Sequence, residues 1–281
     1  MTVLLDGKAA SQALRSKLSI DLKKPPHVVF ILVGNHPSSL SYVSIKKKTC
    51  EEVSIRSTIC HLAEDISEKQ LLMEISHLNS RDDVDGILVQ LPLPQNLRVE
   101  KILEAIDPKK DVDCLHPYNL GRLAFGDTTG LLPCTPYGIL ELMRFYNLDL
   151  IQKEVCIVGR SSIVGRPLSL LLSQKSTIDA TVTLCHQGTK DLFSHTKRAD
   201  ILIAAVGRCE FIKKEHIKEG AIVIDVGITR QNDRLVGDVD FVSVKQKASA
   251  ITPVPGGVGP MTVYALLQNT IKAHKQRKAT V

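Results

Sequence analysis

The stretch that most constrains the fold is 153–167, KEVCIVGRSSIVGRP. Its apolar, β-branched run, Val155–Val158, is typical of a strand that is buried on both faces of a sheet. Gly159 and Gly165 allow a tight turn after this strand, and Pro167 suits the first turn of a helix. Because a helix N-terminus attracts anions, the stretch predicts a strand–turn–helix unit that binds the pyrophosphate of a dinucleotide. The two glycines are six positions apart and do not form GxGxxG, so an ordinary α/β turn is the alternative.

Apolar runs and amphipathic segments alternate along the rest of the chain. We predict strands at 28–33, 55–61, 84–89, 155–158, 181–185, 201–205 and 222–226. We predict helices at 6–22, 37–53, 67–79, 97–106, 135–146, 166–174, 190–196, 213–218 and 261–272. Strands that alternate with helices favour parallel sheets covered by helices. The predicted fold class is therefore α/β, with an N-terminal α/β domain and a Rossmann-like domain, and with a cleft between them that could hold ligands.

Two segments lack this alternation. Residues 107–130 are rich in Pro, Gly, Asn and Asp, and we predict a loop that connects two domains. Residues 251–262, ITPVPGGVGPMT, are predicted to form an irregular loop. We therefore expect one domain over 1–133 and a second over 134–260, which begins with a linker helix. The final helix, 261–281, is expected to return to the first domain.

Composition excludes several classes of function. The chain has 281 residues, a net charge of +6, 4% aromatic residues and no Trp, which favours an anionic small molecule over nucleic acid as the partner. No apolar run reaches the roughly 20 residues that span a membrane, and the N-terminus does not resemble a signal peptide. The seven cysteines form no CxxC pair, which indicates reduced thiols and a cytoplasmic location. The histidines form no cluster with metal-ligand spacing, so we expect no bound metal.

Several stretches, in the same order along the chain, resemble the motifs of one known family. They are YVSIK (42–46), VDGILVQLPLP (84–94), KDVD (110–113), HPYNLGRL (116–123), LPCTPYG (132–138), VGRSSIVGRP (158–167), AVG (205–207), IDVGI (224–228) and TPVPGGVGPMT (252–262). The chain resembles the bifunctional methylenetetrahydrofolate dehydrogenase/methenyltetrahydrofolate cyclohydrolase family from about Asp6 to Thr270.

The resemblance implies two successive reactions on a folate, with or without a polyglutamate tail. NADP-dependent oxidation converts 5,10-methylenetetrahydrofolate to the methenyl form, and hydrolysis then gives 10-formyltetrahydrofolate. It also implies a folate-binding catalytic domain followed by an NADP-binding domain, a homodimer, and a place in one-carbon metabolism and purine biosynthesis.

The resemblance assigns four residues to the catalytic site. Lys46 matches the catalytic lysine, and a neutral lysine amine can move the protons of the hydrolysis without repelling a cationic substrate. Tyr42 matches the aromatic residue beside the folate rings, Gln90 the partner of the lysine, and Asp113 the acid that binds the pterin. The alternatives are an exposed helix lysine, a core tyrosine, an amide that caps a loop, and an aspartate in an Asx turn.

The resemblance also assigns residues around the two ligands. Gly256, Gly257, Gly259 and Pro260 match the loop that lines the folate pocket, although a purely structural Pro/Gly turn is the alternative.

Gly159, Arg160, Ser161, Gly165 and Ile228 match the cofactor site. The residues support NADP over NAD, because the strand 181–185 is followed by His186-Gln187 and not by an acid that would bind a ribose. Arg160 could meet the 2′-phosphate, or it could simply be solvated.

Two residues depart from the family pattern. Ser54 and Cys114 stand where the family has glycine, and Cys114 would be strained if its backbone requires a positive φ. Two other functions remain open: a dehydrogenase with weak or no cyclohydrolase activity, and a non-catalytic nucleotide-binding protein on the same fold.

Overall fold

The chain divides into two compact units in the computed structural model, which describes residues 1–175, 178–232 and 234–279. Unit 1 consists of Met1–Leu14 and Thr135–Tyr264. Unit 2 consists of Arg15–Cys134 and the chain from Ala265 onward. The first fourteen residues, which we had expected in one domain with the rest of 1–133, thus belong to the same unit as 135–264.

Strands and helices alternate through most of the described chain. The strands are β1 (Val3–Leu4), β2 (His27–Val33), β3 (Arg56–Leu62), β4 (Gly86–Val89), β5 (Glu154–Val158), β6 (Thr181–Cys185), β7 (Ile201–Ala204), β8 (Ile222–Asp225), β9 (Thr229–Gln231), β10 (Arg234–Val236) and β11 (Ala250–Ile251). The helices are α1 (Gly7–Arg15), α2 (Pro37–Glu52), α3 (Glu68–Ser80), α4 (Val99–Glu104), α5 (Pro117–Ala124), α6 (Cys134–Phe145), α7 (Gly165–Leu172), α8 (Leu192–Arg198), α9 (Phe241–Lys245) and α10 (Val258–Lys278).

Unit 2 is built on a parallel sheet in the order β3-β2-β4. All seven residues of the central strand β2 are buried, as expected for an apolar strand covered on both faces. Helix α3 begins with a capping box between Ser67 and Gln70 and packs Leu71, Ile75 and Leu78 into the core. Beyond β4, a parallel bridge joins Ile87 to Asp111.

Unit 1 is built on a larger sheet in the order β1-β11-β8-β7-β5-β6, in which every pair is parallel. The apolar strands β5, β7 and β8 form its centre, and their side chains share a buried cluster with α9 and the segment around Ile217. The residues that follow β5, β7 and β8 therefore lie side by side at the carboxyl edge, where doubly wound sheets bind ligands. A small antiparallel hairpin, β9 with β10, follows β8.

The predicted elements differ from the structure at several places. The helix predicted at 6–22 ends at Arg15, and Leu22, which its periodicity placed on the inner face, is 73% exposed. The loop predicted at 107–130 contains α5, which begins at Pro117 after His116; the His116 ring accepts a hydrogen bond from the Tyr118 N–H.

Other differences concern short elements. The helix predicted at 213–218 is a 3₁₀ turn over Lys214–His216. The two-residue strands β1 and β11 and the hairpin were not predicted, because runs of two or three residues carry no periodicity. The final helix begins earlier than predicted, at Val258, and residues 280 and 281 of the predicted helix 261–281 lie outside the described residues. None of the helices in the described ranges is long and apolar enough to cross a membrane.

Candidate active site

Lys46 lies on the buried face of α2. That face also carries Ser39, Val43 and Cys50, and Lys46 itself is only 9% exposed. Lysine is rarely buried without a partner or a task. The neighbouring Lys47 is different, because its ammonium lies 3.9 Å from Glu51 and its side chain is 44% exposed. The helix thus turns one of its three successive lysines inward.

Gln90 is the partner of Lys46. It follows β4, and its backbone N–H donates to the carbonyl of Ile31 over 2.9 Å. The Lys46 ammonium donates to Gln90 Oε1 over 2.9 Å, and Gln90 Nε2 donates to the Leu91 carbonyl over 2.7 Å. Both ends of the amide are thereby occupied, so the oxygen is held toward the lysine. The hydrogen bond between Gln90 and Lys46 that the resemblance implied is present.

Tyr42 lies one helical turn before Lys46 and is half-buried, so the two side chains share a face of α2. Burial raises the pKa of the Tyr42 hydroxyl above its ordinary value. The ring therefore remains a neutral, partly accessible surface beside the amine.

Asp113 follows the strand-like bridge next to β4 and is partly buried. Its surroundings are organised by Cys134 and Asn269. The Cys134 thiol donates to the Val112 carbonyl over 3.2 Å. Burial raises the pKa of Cys134 well above its ordinary value, the Asp113 charge raises it further, and the Lys46 charge opposes this. Cys134 therefore lies within the electrostatic reach of both predicted catalytic charges.

Asn269, on α10, ties together the backbone around Asp113. Its side-chain amide donates to the carbonyls of Val112 over 2.8 Å and Leu132 over 2.7 Å. Its oxygen accepts from the Leu132 N–H over 3.3 Å, and the residue is 2% exposed. A buried amide with these bonds fixes two backbone segments against each other.

The two residues that replace the family's glycines both have a positive φ. Ser54 has φ 61° and Cys114 has φ 59°, so the expected strain at Cys114 is confirmed. Ser54 ends α2 in a Schellman motif: the Ser54 N–H donates to Glu51 and the Ile55 N–H donates to Cys50. The Cys114 thiol donates to the Leu131 carbonyl over 3.2 Å and is buried.

In unit 1, the turn after β5 is packed too tightly for side chains at its glycines. A Cβ on Gly165 would overlap the carbonyl of Gly159, and a Cβ on Gly159, which has φ +131°, would overlap the carbonyl of Ala205. The Ser161 hydroxyl accepts from the Val164 N–H over 3.2 Å. Glycine is thus required at both positions for a compact turn at the carboxyl edge of the sheet.

Arg160 projects from this turn and is exposed. Within 1–175, 178–232 and 234–279, its guanidinium has no ion-pair or hydrogen-bond partner. On the adjacent strand, Cys185 is followed by His186, whose ring accepts from the Gly188 N–H over 3.0 Å. The residues directly after β6, 186–190, include no acid that would repel a phosphate.

The glycine-rich loop after β11 also belongs to unit 1. Gly256 has φ +106°, and its carbonyl accepts from the Lys8 N–H over 3.0 Å. A Cβ on Gly259 would lie 3.9 Å from Cδ1 of Ile228, which is 41% exposed. The loop predicted to line the folate pocket is therefore next to a residue predicted to bind the cofactor.

Comparisons with known proteins identify the family. The model of the tetrahydrofolate dehydrogenase/cyclohydrolase catalytic domain matches residues 5–113, and the model of the corresponding NAD(P)-binding domain matches residues 133–278. The bifunctional protein FolD of Aquifex aeolicus is 51% identical over 286 residues, which cover 99% of this chain and 97% of that protein. The chain belongs to the tetrahydrofolate dehydrogenase/cyclohydrolase family.

Solved structures agree. The bifunctional FolD of Campylobacter jejuni is 46% identical with a TM-score of 0.93, over 99% of this chain and all of that chain. The FolD of Trypanosoma brucei, solved with NADP and an inhibitor, is 34% identical with a TM-score of 0.92, over 98% of each chain. These comparisons confirm the predicted family, the α/β fold class, the two enzyme classes and the NAD(P)-linked chemistry.

Sequence reasoning missed the residues that support the predicted site of this dehydrogenase/cyclohydrolase. Cys134 belongs to the LPCTPYG motif, but the motif did not indicate that its side chain lies beside Asp113. The sequence around Asn269 did not indicate a contact with the backbone next to Asp113. The buried pair Asp225 and Asp238 was also missed, although each acid has a glycine within two residues in IDVGI and GDVD. Among the residues that the structure describes, no group of three or more His, Cys, Asp or Glu side chains is placed to hold a metal ion.

Proposed function

We propose that the chain oxidises 5,10-methylenetetrahydrofolate with NADP and hydrolyses the resulting methenyl cation to 10-formyltetrahydrofolate. The observation that carries the hydrolytic part is the buried Lys46 amine held by Gln90 over 2.9 Å. A lysine that only stabilised a helix would keep much of its side chain in solvent, as Lys47 does with 44% of its side chain exposed.

Hydrolysis requires a group that moves protons in both directions. Water attacks the cationic carbon of the methenyl bridge, and the C–O bond forms as a proton leaves the water. We assign that proton to Lys46 Nζ, which then delivers it to the ring nitrogen as the C–N bond breaks. The second proton of the water leaves the hydroxyl group for solvent as the C=O bond of the formyl group forms. Gln90 Oε1 holds Lys46 Nζ through one hydrogen bond. The nitrogen can form its other hydrogen bonds with the water and the substrate.

Tyr42 and Asp113 are assigned to binding. The half-buried Tyr42 ring offers an apolar face beside Lys46 for the flat folate rings. Asp113 can accept hydrogen bonds from the pterin, which carries N–H groups. Gly256, Gly257, Gly259 and Pro260 allow close approach of backbone to the substrate.

The residues of unit 1 fit a dinucleotide. Gly159 and Gly165, which have no side chains, and the exposed Arg160 suit phosphates at the carboxyl edge of a doubly wound sheet. Bound NADP supplies the acceptor for the hydride that leaves the methylene carbon. Loss of that hydride is assisted by the adjacent nitrogen lone pair, so the chain has to orient the substrate and needs no base. We assign Gly159, Arg160, Ser161, Gly165 and Ile228 to holding the cofactor.

Arg160 and the absence of an acid after β6 support NADP over NAD. The FolD of Trypanosoma brucei was solved with NADP. Absorbance assays of the oxidation with NADP and NAD should show a clear preference for NADP. Arg160→Gln should remove most of that preference, whereas Arg166→Gln, on an exposed arginine of α7, should retain it. An equal preference in wild type and Arg160→Gln would contradict the assignment.

Other features rest on the family resemblance. We infer that the folate substrate can carry a polyglutamate tail, that the chain forms a homodimer in the cytoplasm without nucleic acid or membrane partners, and that its product serves purine biosynthesis. We further assign 1–133 and the C-terminal helix to folate binding and 134–260 to NADP binding. Sedimentation equilibrium should give twice the 30.9 kDa mass of the chain; a single-chain mass would contradict the homodimer.

A further inference from the structure

The segment 205–208, which follows β7, borders the turn assigned to the NADP phosphates. Ala205 lies against Gly159, since a Cβ on that glycine would overlap the Ala205 carbonyl. The Ala205 N–H donates to the Val158 carbonyl over 2.8 Å. Val226, the first residue after β8, donates to the Ala204 carbonyl over 2.8 Å. The residues that leave β5, β7 and β8 are thus in register at the carboxyl edge.

Asp238 holds this segment through its backbone. Its carboxylate accepts hydrogen bonds from three successive N–H groups, those of Val206 over 2.6 Å, Gly207 over 2.9 Å and Arg208 over 2.8 Å. Asp238 is completely buried. The segment therefore curls around an anionic side chain in the way that backbone nests surround anions. Gly207 has φ +68°, which this curvature requires.

Asp225, the last residue of β8, holds Asp238 in the same manner. Its carboxylate accepts from the N–H groups of Gly227 over 3.0 Å, Asp238 over 2.9 Å and Val239 over 3.0 Å. Each carboxylate is covered by a glycine from the other segment, since a Cβ on Gly227 would overlap the Asp238 carboxyl group and a Cβ on Gly237 would overlap that of Asp225. The two aspartates therefore link the segments after β7 and β8.

The Asp238 carboxylate is held by backbone amides. In the described part of the chain, neither aspartate forms an ion pair with a lysine or arginine. The backbone amides that compensate the Asp238 carboxylate all come from 206–208, so the shape of this segment depends on that side chain. We propose that Asp238 is a positioning residue for NADP, which holds 206–208 in the shape that borders the cofactor, and that Asp225 positions Asp238. The inference rests on the NADP-dependent function proposed above.

The first test compares Asp238→Asn with Asp240→Asn. Asp240 lies two residues further along the chain, and its carboxylate caps α9 by accepting from the Ser243 N–H over 3.2 Å. Asparagine at 238 turns one acceptor into a donor that faces backbone donors, so it should weaken NADPH binding, measured by titration calorimetry, about tenfold or more. Hydrolysis of methenyltetrahydrofolate, assayed without NADP, should stay within about twofold of wild type. Asp240→Asn should change neither quantity.

A second pair of variants leaves the carboxylates untouched. Gly207→Ala and Gly220→Ala both place a Cβ at a positive φ, +68° and +73°, and in both cases the Cβ meets no atom within 4 Å. The backbone strain is therefore matched, but Gly220 precedes β8 at the opposite edge of the sheet. The two variants should lose similar stability, and only Gly207→Ala should weaken NADPH binding.

The outcomes separate the inference from the proposed function. Unchanged NADPH binding in Asp238→Asn and Gly207→Ala would overturn the positioning role while the wild type still binds NADPH. Equal weakening in Gly207→Ala and Gly220→Ala, or parallel loss of NADPH binding, hydrolysis and thermal stability in Asp238→Asn, would show a general structural role instead. A wild-type chain that binds no NADPH would overturn the proposed function and this inference with it.

Discussion

Replacing Gln90 tests whether the Lys46 side chain that it holds carries the hydrolysis. Gln90→Leu removes the acceptor that holds the amine, whereas Gln90→Glu keeps an acceptor and adds a negative charge. We expect both variants to hydrolyse methenyltetrahydrofolate more slowly, with Gln90→Glu the slower of the two at pH 7. Their oxidation of methylenetetrahydrofolate should fall less than their hydrolysis.

The magnitudes follow from the geometry. A hydrogen bond to a charged group contributes about 1.5–3 kcal/mol, so Gln90→Leu should lower the rate of hydrolysis at least tenfold. A carboxylate at the 2.9 Å that separates Gln90 Oε1 from Lys46 Nζ attracts an ammonium by about 6 kcal/mol at an effective dielectric constant near 20, before desolvation is subtracted. Even a third of this attraction, about 2 kcal/mol, would slow a step that moves a proton away from Lys46 about thirtyfold.

The assay follows the loss of methenyltetrahydrofolate between pH 7 and 9, with the uncatalysed rate in buffer subtracted. Gln90→Glu should remain slower than Gln90→Leu, because the added carboxylate opposes the transfer of a proton from Lys46 to the ring nitrogen. Gln95→Glu, on an exposed glutamine five positions further on, serves as the control for added charge. Equal rates in Gln90→Glu and Gln90→Leu across this range would refute the reasoning.

Three further predictions concern the scaffold. Ser54→Gly should raise the free energy of unfolding by about 1 kcal/mol, because glycine adopts the φ of 61° at this exposed position without strain. The control is Val53→Gly, where φ is −113°; this change should lower the free energy of unfolding in the same denaturant titration. Asn269→Leu removes the amide donations to the carbonyls of Val112 and Leu132 and should raise the KM for the folate while NADPH binding stays unchanged. An unchanged KM would contradict the role in positioning Asp113. Burial raises the pKa of Asp225 to about 7, whereas in the unfolded chain this carboxyl group loses its proton near pH 4. The folded state therefore holds a proton that the unfolded state has lost, and the free energy of unfolding should fall as pH rises from about 4 to 7. Urea titrations should show a smaller fall in Asp225→Asn than in wild type; an equal fall would contradict the raised pKa.

Much of the sheet could be predicted because its strands are continuous apolar runs. Strand β6 begins and ends where the sequence placed it, and β2 and β5 each gain one residue at the start. The sequence could not show which unit the N-terminus joins, because β1 has only two residues and each pairs with a residue of β11 that lies 247 positions later (Val3 with Ala250, Leu4 with Ile251). Such a pairing is decided by tertiary structure and not by local pattern.

Prediction of the site divides in a similar way. Lys46 and Tyr42 could be placed on one helix face from their spacing, but the partnership of Lys46 with Gln90 came from the family resemblance, since 44 residues separate them. Asn269 and Asp238 act through backbone amides and carbonyls that carry no sequence signature. Their partners are defined only once β4, β7 and β8 are in place, so local sequence alone could not reveal them.

The central claim is that Lys46 moves the protons of the hydrolysis and has no obligatory part in hydride loss. The most direct test is the two-step absorbance assay on wild type, Lys46→Met and Lys47→Met, in which Lys47 is the exposed neighbour that faces Glu51. We expect Lys46→Met to lose hydrolysis of methenyltetrahydrofolate, to keep NADP-dependent oxidation and so to accumulate the methenyl intermediate, while Lys47→Met behaves as wild type. Undiminished hydrolysis in Lys46→Met would contradict the account.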